Sequence, residues 1–128
     1  MKILGIGVDI IDNQRIQTSL KNKDFIKRTF NEIEIKLSKK TKYKKNYFAK
    51  RFAAKEAFAK SIGTGFRNNL NFKDIIVLND TYGKPYFAKS KKIDNLINKK
   101  FKVKNYNLFL SISDENDYSV AFTILQTK

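Results

Sequence analysis

The chain has 128 residues, enough for one domain that buries roughly two-thirds of its unfolded surface without staples. It contains no Cys and no His, so disulfides, thiolate metal sites, Ser-His-Asp catalysis and imidazole bases are all excluded. With 27 Lys+Arg against 12 Asp+Glu the net charge is +15, which attracts acidic partners: nucleic acid, anionic membrane, phosphorylated ligands or acidic proteins. A merely solvated, lysine-rich surface explains the same charge.

Residues 2–8 read as a buried strand ending at Asp9-Ile10-Ile11. Asp12 or Asn13 can cap a short helix reaching about Leu20, Asp24 a second carrying Phe25 and Phe30, and Asn31 a third over residues 32–39. A long helix is expected over residues 45–62. There Ala, Lys, Arg and Glu dominate, and Phe48, Phe52, Glu56 and Lys60 form one row four residues apart. Gly63-Thr64-Gly65 stops it and leaves bare backbone for a close approach.

After Gly65 the period changes. Residues 72–79 read as a strand, Asn79 to Gly83 as a turn, and Gly83-Lys84-Pro85-Tyr86-Phe87 as a short edge segment completing a hairpin. A helix is expected over residues 93–101, a half-buried strand over 106–113, a polar turn over 114–117 and a last strand over 118–125. The sum is a single α+β domain over residues 1–128. A mostly antiparallel sheet, joined by the first strand, packs against one long and several short helices. No leader peptide is visible after Met1-Lys2, and no segment approaches the ~20 apolar residues of a membrane span, so a soluble, cytoplasmic protein is expected.

Asp9 can be a turn or cap residue, or a metal ligand at the mouth of the sheet. Mg²⁺ takes one or two protein carboxylates and completes its octahedron with water and phosphate oxygens, and Asp9 with Glu56 would supply that pair. Glu56 and Lys60 can equally be an exposed i,i+4 pair worth ~0.3–0.5 kcal/mol. The phosphate-loop pattern is absent, and Gly5-x-Gly7 lacks the third glycine of a dinucleotide fingerprint. Lys84 sits in the hairpin turn, where it can touch a phosphate. Ser111 and Ser113 end an alternating strand and need be no more than its outward polarity.

Taken in order, several pieces resemble one family, the holo-[acyl-carrier-protein] synthases, small bacterial 4′-phosphopantetheinyl transferases. They are Gly5-Ile-Gly-Val-Asp9-Ile10, Arg15-Ile16, and Phe25 and Arg28 with Glu34. Next come Arg51-Phe-Ala-Ala-Lys-Glu-Ala-Phe-Ala-Lys60 with Gly63-Thr-Gly65, and then Asp74-Ile75. Gly83-Lys-Pro-Tyr86, Ser111-Ile-Ser113 and Tyr118-Ser-Val-Ala-Phe122 complete the set. The resemblance implies the 4′-phosphopantetheinyl transferase fold. It also implies Mg²⁺-dependent transfer of phosphopantetheine from coenzyme A to a serine of apo acyl carrier protein, a step of fatty acid biosynthesis that releases adenosine 3′,5′-bisphosphate. Asp9 and Glu56 would hold the metal, and Lys60 would neutralise the leaving bisphosphate or assist proton transfer. Arg51, Lys60, Gly63, Thr64, Gly65, Lys84, Pro85 and Ser113 would bind the cofactor. Arg15, Lys21 and Arg28 would dock the acidic carrier protein. A homotrimer with active sites at subunit interfaces is implied, with neither nucleic acid nor membrane as partner.

One departure stands out: the family's strand serines are usually followed by His, and here Asp114 occupies that place. Its charge would repel phosphate. It either turns outward, leaving Ser113 as the contact, or contributes to metal binding. Two other readings are a binding-only homologue, motivated by Asp114, and a basic nucleic-acid-binding module, motivated by the charge. The second leaves Asp9 and Glu56 unexplained, because without a metal they would repel phosphates.

Overall fold

The computed structural model describes residues 1–67 and 69–128. A strand β1 (Ile3–Asp12) leads through three short helices, α1 (Asn13–Ser19), α2 (Lys23–Thr29) and α3 (Glu32–Ser38), to the long helix α4 (Lys44–Ile62). A 3₁₀ turn (Phe72–Asp74), the short strands β2 (Val77–Asn79) and β3 (Pro85–Phe87), and helix α5 (Lys91–Phe101) follow. The strands β4 (Tyr106–Asp114) and β5 (Tyr118–Thr127) close the chain. The main sheet is antiparallel in the order β1-β5-β4, and β2-β3 is a separate antiparallel hairpin. The fold is the expected α+β arrangement.

Small residues bring α4 down onto the sheet. Ala49, Ala53, Ala54 and Ala57 are fully buried, and the glycines of β1 face them. A Cβ on Gly5 would lie 1.8 Å from the Ser61 carbonyl oxygen. Strand and helix therefore meet backbone to backbone, closer than any other residue in β1 allows. Larger side chains fill the flanks: Ile11, Ile16, Phe30 and Phe48 toward α1–α3, and Phe58, Ile62, Leu70, Ile75, Ile93, Ile97 and Leu125 toward α5.

A buried ion pair ties the helices to the hairpin. Lys55 Nζ lies 2.7 Å from Glu34 Oε1, with both side chains fully buried. The ammonium also donates to the carbonyls of Phe72 and Ile75. Glu34 accepts from the Asn31 amide at 2.9 Å, closing a capping box on α3, and from the Val77 amide at 3.1 Å. Every lone pair and proton so engaged offsets part of the desolvation cost of a buried pair.

Several boundaries differ from expectation. β1 continues to Asp12, so Asp9 sits inside the strand; of the two expected caps of α1, Asp12 fills the role, accepting from the Gln14 amide at 2.9 Å. Asn22, rather than Asp24, caps α2. Residues 72–76 are not strand, because Lys55 takes two of their carbonyls and Asp74 accepts from the Asn71 amide at 2.8 Å. Only 77–79 is left to pair.

Candidate active site

Alternation along β1 places Gly5, Gly7, Asp9 and Ile11 toward α4 and Ile6, Val8 and Ile10 on the other face. The contact of Gly7 with α4 carries Asp9 to the helix's last turns, where Glu56 and Lys60 lie. Lys60 Nζ donates to Asp9 Oδ1 at 3.2 Å and to the Val8 carbonyl at 2.9 Å. Burial pushes the Asp9 carboxyl up, while the bond and charge of Lys60 and the charge of Arg15 pull it down. Burial pushes Glu56 up too, Asp9's negative charge adds to the rise, and Lys60 opposes it. The residues 47 positions apart are thus electrostatic neighbours.

Two carboxylates held near each other, with one half-exposed ammonium to balance them, are short of positive charge. That donor set fits a hard divalent cation that takes two protein oxygens. Among the described residues no group of three or more Asp, Glu, His or Cys could hold a metal by itself, so further ligands would have to come from water and substrate.

The expected cofactor residues fall into separate groups on one chain. Gly63 ends α4 with φ 84° and Gly65 has φ 62°, beyond the turn that carries Lys60. Lys100 donates to the Ile62 carbonyl beside them, and Thr64 lines a cavity of about 700 Å³ with Lys92, Lys99 and Lys100.

Arg51 lies on another side of α4, five residues before Glu56. The residue is 5% exposed, and its guanidinium stacks 3.7 Å above the Tyr47 ring and donates from Nη2 to Asn79 Oδ1 at 2.7 Å. Burial lowers its pKa, with Tyr47 and Glu34 opposing. A cavity of about 100 Å³ beside it is lined by Gly83, Pro85 and Asp114. Lys84 is exposed in the adjoining turn.

Ser113 is on the opposite face of the sheet from this cavity. It pairs with Val120 on β5, whose other neighbour is Ile10 of β1. That face is apolar and open: Ile6, Val8 and Ile10 are 61%, 57% and 63% exposed, with Phe122 and Phe109 alongside. Asp114 lines the cavity beside Arg51 and accepts from the Asn46 side chain at 2.7 Å.

Arg15, Lys21 and Arg28 are exposed on α1, in the α1–α2 turn and on α2. Arg15 is near enough to Asp9 to lower its pKa, and Arg28 lies 5.7 Å over the Phe25 ring. Asn13 contributes a bond set that spacing alone did not predict. Fully buried, it donates to the carbonyls of Glu115 and Asn116 and accepts from Ser119, fixing the β4–β5 turn.

The family model of the 4′-phosphopantetheinyl transferase superfamily matches residues 5–123, and the chain belongs to that superfamily. A holo-[acyl-carrier-protein] synthase from Pelagibacter ubique (strain HTCC1062) is 62% identical over 128 residues, covering 100% of both chains. The crystal structure of a Bacillus anthracis holo-(acyl-carrier-protein) synthase in complex with CoA (3′,5′-ADP) is similar along 100% of both chains, at 35% identity and a TM-score of 0.83. That of the Neisseria meningitidis synthase covers 98% of this chain and 99% of its own, at 35% identity and a TM-score of 0.87. The chain is accordingly an enzyme, a phosphopantetheinyl transferase. No helix among the described residues is long and apolar enough to cross a membrane.

Proposed function

We propose that this enzyme transfers 4′-phosphopantetheine from coenzyme A to a serine of apo acyl carrier protein, a step of fatty acid biosynthesis in the cytoplasm. The observation that carries the reading is the meeting of Asp9, Glu56 and Lys60 where β1 crosses α4. The serine oxygen bonds to the pantetheine-bearing phosphorus and the phosphoanhydride breaks. The holo-protein forms and adenosine 3′,5′-bisphosphate leaves. The serine proton goes to Asp9 or Glu56, both made more basic by burial. Lys60, whose ammonium reaches across to Asp9, neutralises charge on the departing bisphosphate. Mg²⁺, held by Asp9 and Glu56, would supply Lewis-acid stabilisation of the pyrophosphate oxygens.

The open backbone of Gly63 to Gly65 takes the nucleotide close to Lys60. Arg51, Lys84 and Pro85 form a second cofactor-binding group on a different side of α4, and Ser113 stands on the uncovered sheet face. A homotrimer reconciles these positions: one protomer's Asp9, Glu56 and Lys60 work beside the next protomer's Arg51 and Pro85. The open apolar face of β1, β5 and β4 supports such an assembly. Arg15, Lys21 and Arg28 dock the acidic carrier protein, with Arg15 leading toward Asp9.

Intact mass spectrometry tests this. Apo acyl carrier protein incubated with the enzyme, coenzyme A and Mg²⁺ should gain the mass of one phosphopantetheine, and EDTA should prevent it. A folded enzyme and competent carrier with no gain would leave a binding-only homologue.

A further inference from the structure

Arg51 is a charge buried almost completely with no carboxylate bonded to it; Glu34 acts on it only through space. Among the described residues its guanidinium finds only neutral partners: Asn79 Oδ1 at 2.7 Å, the Tyr47 carbonyl at 3.4 Å and the Tyr47 ring. Its Nε is buried with no partner at all. An unpaired buried cation is costly, and the cost is recovered when an anion arrives. The adjoining cavity has room for a group of a few heavy atoms and is bounded by Gly83 and Pro85 of the hairpin. Lys50 and Asp114 are the other charged groups on its wall, and Asp114 is engaged by Asn46.

Asn79 connects the two sides of this cavity. Its Oδ1 accepts from Arg51, and its Nδ2 donates to the Gly83 carbonyl at 2.9 Å. Gly83 has φ 86°, and the same turn is held by Asp80, whose carboxylate accepts from the amides of Tyr82 and Lys84. The Asn79 side chain therefore sets the guanidinium of α4 and the backbone of the β2–β3 turn in one frame. A carboxamide does this without a charge of its own. A carboxylate in its place would form an ion pair with Arg51 and spend the field that an incoming phosphate needs.

We infer that Asn79 is a positioning residue for cofactor binding: a neutral acceptor that aims Arg51, and holds the Gly83-Lys84-Pro85 turn, toward a phosphate of coenzyme A. The inference rests on the reading of Arg51 as a cofactor residue given above.

Three variants separate the possibilities: Arg51→Ala, Asn79→Ala and Asn79→Asp. Coenzyme A affinity is measured for each by calorimetry at several salt concentrations, with thermal melting alongside. Arg51→Ala should weaken binding. Asn79→Ala, which frees Arg51 but leaves its charge, should weaken binding modestly. Asn79→Asp should weaken it further, by about tenfold or more relative to wild type, and flatten the salt dependence. It should melt no lower than Asn79→Ala, because the new ion pair compensates in the fold. If Arg51→Ala binds like wild type, the cofactor reading of Arg51 fails and this inference with it. If Arg51→Ala is impaired but Asn79→Asp binds as tightly as Asn79→Ala, the charge argument alone is overturned.

Discussion

Gly7 passes so close to Ala57 that a Cβ there would lie 1.9 Å from the helix carbonyl oxygen. Nothing at that contact is the end of a flexible side chain, so neither backbone can yield cheaply. Gly7→Ala should push β1 off α4, destabilise the protein by at least about 3 kcal/mol and separate Asp9 from Glu56. Urea unfolding measures the first effect. A variant with wild-type stability would contradict the backbone contact.

Glu56→Gln should abolish transfer while making the metal-free protein more stable. Asp9 and Glu56 both have folded pKa values above their unfolded ones, so ionising them opposes folding. The penalty is absent below the unfolded values, develops as pH rises through the folded ones, and is complete at neutral pH. Removing one charge should raise the melting temperature at pH 7 by roughly 1–3 °C in EDTA, and by less near pH 4. An unchanged or lowered melting temperature at pH 7 would contradict the repulsion.

Lys55→Met strands Glu34 as an uncompensated buried charge and releases the carbonyls of Phe72 and Ile75. The expected loss is about 3–5 kcal/mol. Adding Glu34→Gln should recover part of it, since Gln carries no charge and its single oxygen can still receive one of the two amide bonds, from Asn31 or from Val77. Chemical denaturation of the single and double variants gives the comparison, and additive losses would argue against the coupling.

Asp114→Asn removes a negative charge from the cavity wall beside Arg51 and keeps a side chain that can bond Asn46. Coenzyme A should bind this variant about two- to threefold more tightly at low salt. Weaker binding would make the carboxylate a contact the cofactor needs.

Carrier-protein binding should weaken steeply as salt rises, because Arg15, Lys21 and Arg28 are exposed and act through solvent. Arg28→Glu should raise KM for the carrier several-fold and leave KM for coenzyme A unchanged. Salt-independent binding would remove the electrostatic basis of docking.

The helices and strands were legible for different reasons: α4 is a long run rich in helix formers with neither Gly nor Pro, and β4 and β5 alternate. The failures have local causes. Residues 72–76 have the composition of a strand, but a lysine 17 positions earlier takes their carbonyls, and no period encodes that. Asp9 seemed to end a strand because a charge normally does; here Lys60 stabilises it from a different element. Glu56 and Lys60 alone read as any surface pair; metal chemistry paired Glu56 with Asp9, but no spacing shows that residues 47 positions apart meet. Lys55 next door gave no sign of burial, since full enclosure of an ammonium depends on Glu34 arriving from α3. Asn13 was readable only as a cap, and Asn79 only as a turn residue.

The alternation of β1 seats Asp9 on one face and leaves Ile6, Val8 and Ile10 on the other. The strand is also at the edge of its sheet. A bare apolar row on an edge strand is a template for unwanted pairing, and it stays one for as long as a newly made chain is alone. Under the proposed homotrimer, the residues that place the carboxylate would set a time limit on the free chain: its partner copies must reach it before a stranger does, and dilution works against them.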